Sequence, residues 1–184
     1  MKLRAVADFA ERSHAPAVVL KAYEQLAKFP EHAAFAYRGT ERLSAQAGDL
    51  AVQRAAAEKI TNLAAGDPNA VAQLAYLDLL AGKDVESNTA IARKLVKEHP
   101  DRLSFRVTAA LGLLRQHDPG AALEQFKGPA GAPPIDWNKT PAPWRAVYAA
   151  VLLANDQADA ARQITQSIPP TQLSAEERAL IEGK

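Results

Sequence analysis

Four histidines are the first candidates for metal chemistry in this chain, because neutral imidazole is a common zinc ligand. They are His14, His32, His99 and His117. A zinc site on one helix needs two histidines at positions i and i+4, and neither that spacing nor a His-Glu-x-x-His sequence occurs. Three of them, His32, His99 and His117, lie near predicted helix ends, and the helix dipole favours a cation at a C-terminus. We therefore predict end-of-helix residues and no metal site.

The adjacent carboxylates Glu176 and Glu177 are the candidates for paired acid–base catalysis. Neighbouring residues on a helix point in different directions, so these two carboxyls do not face each other. The sequence has no phosphate-binding glycine pattern and no Gly-x-Ser-x-Gly motif, and without cysteine it forms no disulfide and no catalytic thiolate. Catalysis by residues that meet only in the folded chain stays open. The sequence favours a non-enzymatic protein with no catalytic residue and no cofactor.

Charge and hydropathy limit the partners. The chain has 22 basic and 21 acidic side chains, a formal net charge of +1, and no run of like sign. A nucleic-acid-binding surface normally concentrates basic residues, so we expect no nucleic acid partner. No apolar run approaches the roughly 18 residues that span a bilayer, and Asp8 and Glu11 interrupt the apolar residues near the start. We expect a soluble chain without direct membrane insertion, in either compartment, with any targeting segment outside this sequence.

Helical periodicity predicts the elements that position these residues. Between Asp67 and Gly128 two helix-turn-helix units follow each other. The first begins with Asp67 as the N-cap and Pro68 in the first turn, and Gly82 ends its first helix. Its second helix is predicted from about Val85 to Glu98, with Ala90, Ile91, Leu95 and Val96 turned inward.

The remaining sequence continues the same plan. Helices are predicted over about 2–12, 16–28, 33–47 and 50–65, with Val52, Ala56, Ile60 and Leu63 on one face of the last. Near the end, Ser174 opens a Ser-Ala-Glu-Glu capping box on a final helix over about 172–182, which caps the chain. We predict an all-α fold of about ten to eleven helices in a single domain over residues 1–184.

The spacing of the units adds a resemblance. Pro68 and Pro100 are 32 residues apart, near the repeat of about 34 residues in tetratricopeptide units. In a unit counted from Leu103, the positions where that family packs its helices hold Ala110, Leu113, Ala122 and Phe126. This stretch resembles the tetratricopeptide repeat family in degenerate form. In the preceding unit, Tyr76 or Asn88 falls where a small residue is usual, which indicates that the turn has gained or lost a residue.

The resemblance implies a right-handed α-solenoid of antiparallel helix pairs, whose first helices line a concave surface that binds a partner peptide or helix. Side chains expected on that surface or in the adjoining loop are Gln73, Tyr76, Arg106, Trp137, Arg145 and Tyr148. The plain alternative is that the polar members are solvated and the tyrosines pack between helices. Two functions stay open: an interaction scaffold for a protein or peptide, and an accessory domain of a larger enzyme or secretion machine, which acts within its own chain or as a homo-oligomer.

One segment breaks the helical pattern. Five prolines and two glycines between Lys127 and Trp144 exclude a continuous helix and predict a loop over 128–143. Either the loop is a connector held to the helices by Ile135 and Trp137, or it closes over a small ligand with Asp136, Trp137 and Arg145. Long loops in compact domains are often functional.

Overall fold

The computed structural model describes residues 15–129, 131 and 133–182. In these ranges all regular structure is helical, and the all-α prediction is confirmed. The described ranges contain ten α-helices: α1 Pro16–Leu26, α2 Pro30–Ala47, α3 Leu50–Leu63, α4 Pro68–Leu80, α5 Val85–Glu98, α6 Leu103–Arg115, α7 Pro119–Glu124, α8 Ala142–Ala154, α9 Ala158–Gln166 and α10 Ala175–Glu182. Two 3-10 turns cover Trp137–Lys139 and Pro170–Gln172. The helix predicted over 2–12 lies outside the described residues.

The chain divides into two compact units, residues 1–70 and 71–184. In the first, α1 and α2 pack around Tyr23, whose ring meets Phe35 edge-on with 5.7 Å between centroids. The ring lies directly against Gly39 of α2, where a Cβ atom would be 2.2 Å from it. Glycine at this position lets the two helices approach. α2 begins at Pro30, three residues before the predicted Ala33, because proline suits the first helical turn.

Helix α3 follows α2 and packs against it. The Asp49 carboxylate caps it by accepting a hydrogen bond from the Val52 N–H at 3.0 Å. Its buried residues are Leu50, Ala56, Ala57 and Ile60. Val52 and Leu63 were expected on the same inward face, but they are 38% and 53% exposed. The buried side of α3 is centred closer to Leu50 and Ala57, so Val52 and Leu63 lie at its edge.

In the second unit, α6 is covered on all sides. It packs against α5, α7 and α8, and it meets α4 through the apolar cluster of Ala72, Leu95 and Phe105. Residues 105–113 are consecutively buried, as expected for a helix with neighbours all round.

Helix α5 buries the predicted Leu95 but otherwise presents a different face from the predicted one. Asn88, Thr89, Ala92 and Leu95 are buried, whereas Ala90 and Ile91, expected inside, are exposed. Thr89 lies against Gly112 of α6, where a Cβ atom would be 2.3 Å from its Oγ1. The Thr89 hydroxyl donates to the Val85 carbonyl, so its polar group is satisfied inside the helix. This close approach turns Thr89 inward and Ile91 out.

Four helices end in the same turn. Gly48, Gly82, His117 and Asp156 have left-handed φ angles of 70°, 68°, 60° and 58°. In each turn the following N–H donates to the carbonyl five residues earlier, as Asp49 does to Ser44 and Asp118 to Leu113. The turns are 34, 35 and 39 residues apart. The next helix begins one residue later after Gly82 than after the other three, so this turn is one residue longer than the others in the chain.

Predicted helix ends are mostly confirmed in the described ranges. His99 is the C-cap of α5, and His117 follows the C-cap of α6. His32 is different: it lies in the first turn of α2, so its assignment to a C-terminal end is wrong. His14 lies outside the described residues. Asp67 caps α4 as predicted, accepting from the Asn69 N–H at 2.9 Å.

The helix predicted over 172–182 is present as α10, Ala175–Glu182. The Ser174 N–H donates to Glu177 Oε2 at 2.9 Å, and the Glu177 N–H donates to Ser174 Oγ at 3.2 Å, which confirms the capping box. Helix α10 packs against α8, and Ile181 contacts the buried cluster of Ala142, Ala146, Ile168 and Leu173. The apolar residues of the last segment therefore cover α8.

Candidate functional site

The predicted surface residue Tyr76 is buried and bound to the C-terminal helix. Its hydroxyl donates to Glu177 Oε1 at 3.1 Å, across 101 residues of sequence, and both side chains are 7% exposed. Helix α10 thereby contacts α4 as well as α8. The contact is an internal attachment, and it leaves Tyr76 unavailable to a partner while α10 is in place.

Burial controls the protonation of this pair. It raises the pKa of the Glu177 carboxyl, while hydrogen bonds from Ser174 and Tyr76 partly lower it again. Burial, followed by the Glu177 charge, raises the pKa of the Tyr76 hydroxyl well above its usual value. Tyr76 is therefore a neutral donor, and Glu177 is a carboxylate whose charged form is disfavoured by its surroundings.

The two nominated arginines lie inside the second unit. Arg106 is 6% exposed and Arg145 is 9% exposed. Arg106 Nε donates to the carbonyl of Gln125, the C-cap of α7, at 2.5 Å. Arg145 Nη1 donates to the carbonyl and the hydroxyl of Ser167, the C-cap of α9, both at 2.8 Å. The expectation that these arginines are solvated is wrong.

Both arginines perform the same structural task. Each lies 11 residues before the left-handed residue that ends its own helix, His117 for Arg106 and Asp156 for Arg145. From there each guanidinium reaches the last carbonyls of the following helix, where orphan acceptors and the negative end of the dipole favour a cation. A charge reversal at either position would place a carboxylate against those carbonyls, so it would disturb folding before it tested binding.

An aromatic cluster holds the proline-rich connector. The rings of Trp137 and Tyr148 are stacked, with centroids 4.0 Å apart and planes 6° apart. Phe126 meets Trp137 and Tyr148 edge-on, at 5.4 and 4.9 Å. Within the 3-10 turn, Asp136 pairs with Lys139 at 3.0 Å. The contacts place the nominated Trp137 and Tyr148 together and favour the tethered connector over a loop that closes on a ligand.

Gln73, the last of the residues predicted on the binding surface, is half-buried on α4. The structure thus brings Trp137 and Tyr148 together, but Tyr76, Arg106 and Arg145 each contact a different part of the chain. Among the described residues, no group of three His, Asp or Glu side chains could hold a metal ion. In the same ranges, no helix has the length and apolar character to cross a membrane.

Comparison with known proteins finds no matching family model, no matching curated protein and no matching solved structure.

Sequence reasoning missed the pairing of each arginine with a distant helix end and the bond between Tyr76 and Glu177. One signal for the arginines was present: both stand at the same distance from a helix-ending turn, which is typical of a repeated structural role. The Tyr76–Glu177 pair had no local signal, because its partners are far apart in sequence.

Proposed function

We propose that this chain is a non-enzymatic scaffold for protein–protein interaction that binds a peptide or helix of a partner. Its proposed architecture is a tetratricopeptide-like right-handed α-solenoid of antiparallel helix pairs. The observation that carries this proposal is the repeated turn: four helices end in one geometry, with spacings of 34 and 35 residues and then 39 across the connector. Stacked repeats of this length present extended faces to partners.

The binding surface we favour differs from the one that the sequence nominated, because three nominated side chains are buried. Of the large apolar side chains that are exposed, Val18, Phe29, Val52 and Leu63 belong to the first unit. Val52 and Leu63 lie about 20° apart around α3 at 100° per residue, so they share one side of the helix. Exposed aliphatic residues aligned on one helix suit the apolar face of a partner helix.

A binding experiment with paired variants tests this proposal. The full chain is immobilised and native lysate is passed over it, in parallel with Val52→Glu/Leu63→Glu and with the control Ile91→Glu/Leu153→Glu, which alters exposed aliphatics of the second unit. We expect one protein to be retained by the wild type and the control and lost from the α3 variant. Equal retention by all three would remove α3 from the proposal.

The accessory-domain alternative has its own support. Tyr76, Arg106 and Arg145 all engage the chain itself, which suits a domain that works through intramolecular contact or self-association. If nothing is retained from lysate, and sedimentation shows the full chain as a concentration-dependent dimer, this alternative replaces the scaffold.

A further inference from the structure

An open cavity in the second unit adjoins Arg106. It has a volume of about 190 Å³ and is lined by Val96, Pro100, Arg106, Glu124, Gln125, Gly128 and Pro129. This volume is several times the roughly 30 Å³ of a water molecule in the liquid. It is smaller than the roughly 300–1,000 Å³ of sites that enclose drug-sized ligands. The cavity therefore has room for a small molecule or for the end of one residue.

The guanidinium in the wall has unused hydrogen-bonding capacity. Arg106 Nε donates to the Gln125 carbonyl, and Arg106 Nη2 is buried with no hydrogen-bond partner. The Gln125 side chain turns away and donates to the Ala121 carbonyl. Buried nitrogen donors are normally paired, and leaving one unpaired is costly.

Arg145 provides an internal comparison. It performs the same task at the end of α9, where Ser167 supplies both a carbonyl and a hydroxyl to Nη1, and its buried Nε has no hydrogen-bond partner. Arg106 has one acceptor where Arg145 has two, and the cavity lies beside Arg106. Each guanidinium leaves one buried nitrogen unpaired, but of the two arginines only Arg106 lines this cavity, where a ligand could supply a second acceptor.

Charge and wall chemistry select the ligand class. Burial lowers the pKa of the Arg106 guanidinium. Glu124, on the same wall, is paired with Lys127 at 2.5 Å, so its charge is already balanced. The site therefore carries about one uncompensated positive charge. The planar fork of arginine matches a carboxylate, while the apolar surfaces of Val96, Pro100 and Pro129 suit a short aliphatic group.

We propose that the cavity beside Arg106 binds a small monoanionic carboxylate, which accepts hydrogen bonds from the guanidinium. The source is either a free short-chain acid or the carboxylate end of a peptide. This site is independent of the scaffold proposal, because its test requires no partner protein.

The test is a titration of the ¹⁵N-labelled full chain followed by NMR. Sodium propionate represents a free acid, N-acetylalanine represents a peptide terminus, and propionamide at matched ionic strength is the neutral control. We expect saturable shifts of the Arg106 Nε–H and the Gln125 and Gly128 amides, with a dissociation constant on the order of millimolar. Propionamide should give none. If propionate binds more tightly, the natural ligand is a free short-chain acid. If N-acetylalanine binds more tightly, it is the carboxylate end of a peptide.

Three variants isolate the site. Arg106→Gln removes the cation, and Val96→Phe fills the cavity without touching the bond to Gln125; each should weaken binding at least about tenfold, by loss of a charged hydrogen bond or of space. Arg145→Gln loses the equivalent helix cap away from the cavity, so it should bind as the wild type does.

The proposal is overturned if propionate and N-acetylalanine produce no saturable shifts in the wild type, or if Val96→Phe binds as tightly. The latter result decides the question even if Arg106→Gln fails to fold.

Discussion

The buried Glu177 carboxyl makes the attachment of the C-terminal helix dependent on pH. The groups that face it are the Tyr76 hydroxyl and the Ser174 N–H and hydroxyl, and Glu176 is its charged neighbour. Burial raises its pKa above the value of about 4.3 for an unfolded chain. The protonated Glu177 carboxyl therefore contributes its full stabilisation below the pKa of the unfolded chain. That contribution is lost as pH rises through the pKa of the folded chain.

Glu177→Gln tests this linkage at a single residue. Glutamine also fits the third position of a capping box and accepts a hydrogen bond from Tyr76, but it does not titrate. We expect the free energy of unfolding of Glu177→Gln, relative to that of the wild type, to increase as pH rises above about 4.3. Urea denaturation from acid to neutral pH measures both. Parallel pH curves would show that Glu177 has the same pKa folded and unfolded.

At the scale of elements, the contact of α5 with α6 is set by Gly112. A Cβ atom there would be 2.3 Å from Thr89 Oγ1 and 3.0 Å from Thr89 Cβ, and Thr89 is buried and bonded to Val85. The threonine therefore cannot rotate away without losing its hydrogen bond. The distance between the two helices depends on one missing methyl group.

Gly112→Ala should reduce the free energy of unfolding by about 1–3 kcal/mol, the usual cost of overpacking a core. Gly120→Ala is the matched control, because a Cβ atom there meets only Asp118 Oδ1, at 3.9 Å. It should raise the stability by about 0.5 kcal/mol through helix propensity. Chemical denaturation measures both variants, and equal effects would refute the close contact.

Helix boundaries were predictable where local chemistry decides them. Pro68, Gly82 and the Ser174 capping box act within a few residues of sequence, so they were identified without the structure. Which side of a helix is buried depends on its tertiary contacts. Ile91 is exposed because Thr89 packs against Gly112 of another helix. The bonds of Arg106 and Arg145 reach 19 and 22 residues ahead. Periodicity therefore predicted where the helices lie. It did not predict that three residues expected on the binding surface, Tyr76, Arg106 and Arg145, are buried.

For the molecule as a whole, the structure predicts a strongly helical spectrum. Helices account for 75% of the residues that the structure describes, and no strand occurs among them. Far-ultraviolet circular dichroism should give about that fraction, with or without reductant, because the chain has no cysteine. A helical fraction below one half would contradict the assignment of the elements. The measurement is also the reference for every variant proposed above.

The chain has two tryptophans, and one of them lies parallel to Tyr148 with ring centroids 4.0 Å apart. Such a pair is an optical reporter that needs no label. Its fixed, chiral arrangement should give Trp137 and Tyr148 an exciton-coupled signal in the near ultraviolet. Detachment of the proline-rich connector would abolish that signal while the far-ultraviolet spectrum stayed the same, so the attachment can be followed in real time in the unmodified protein.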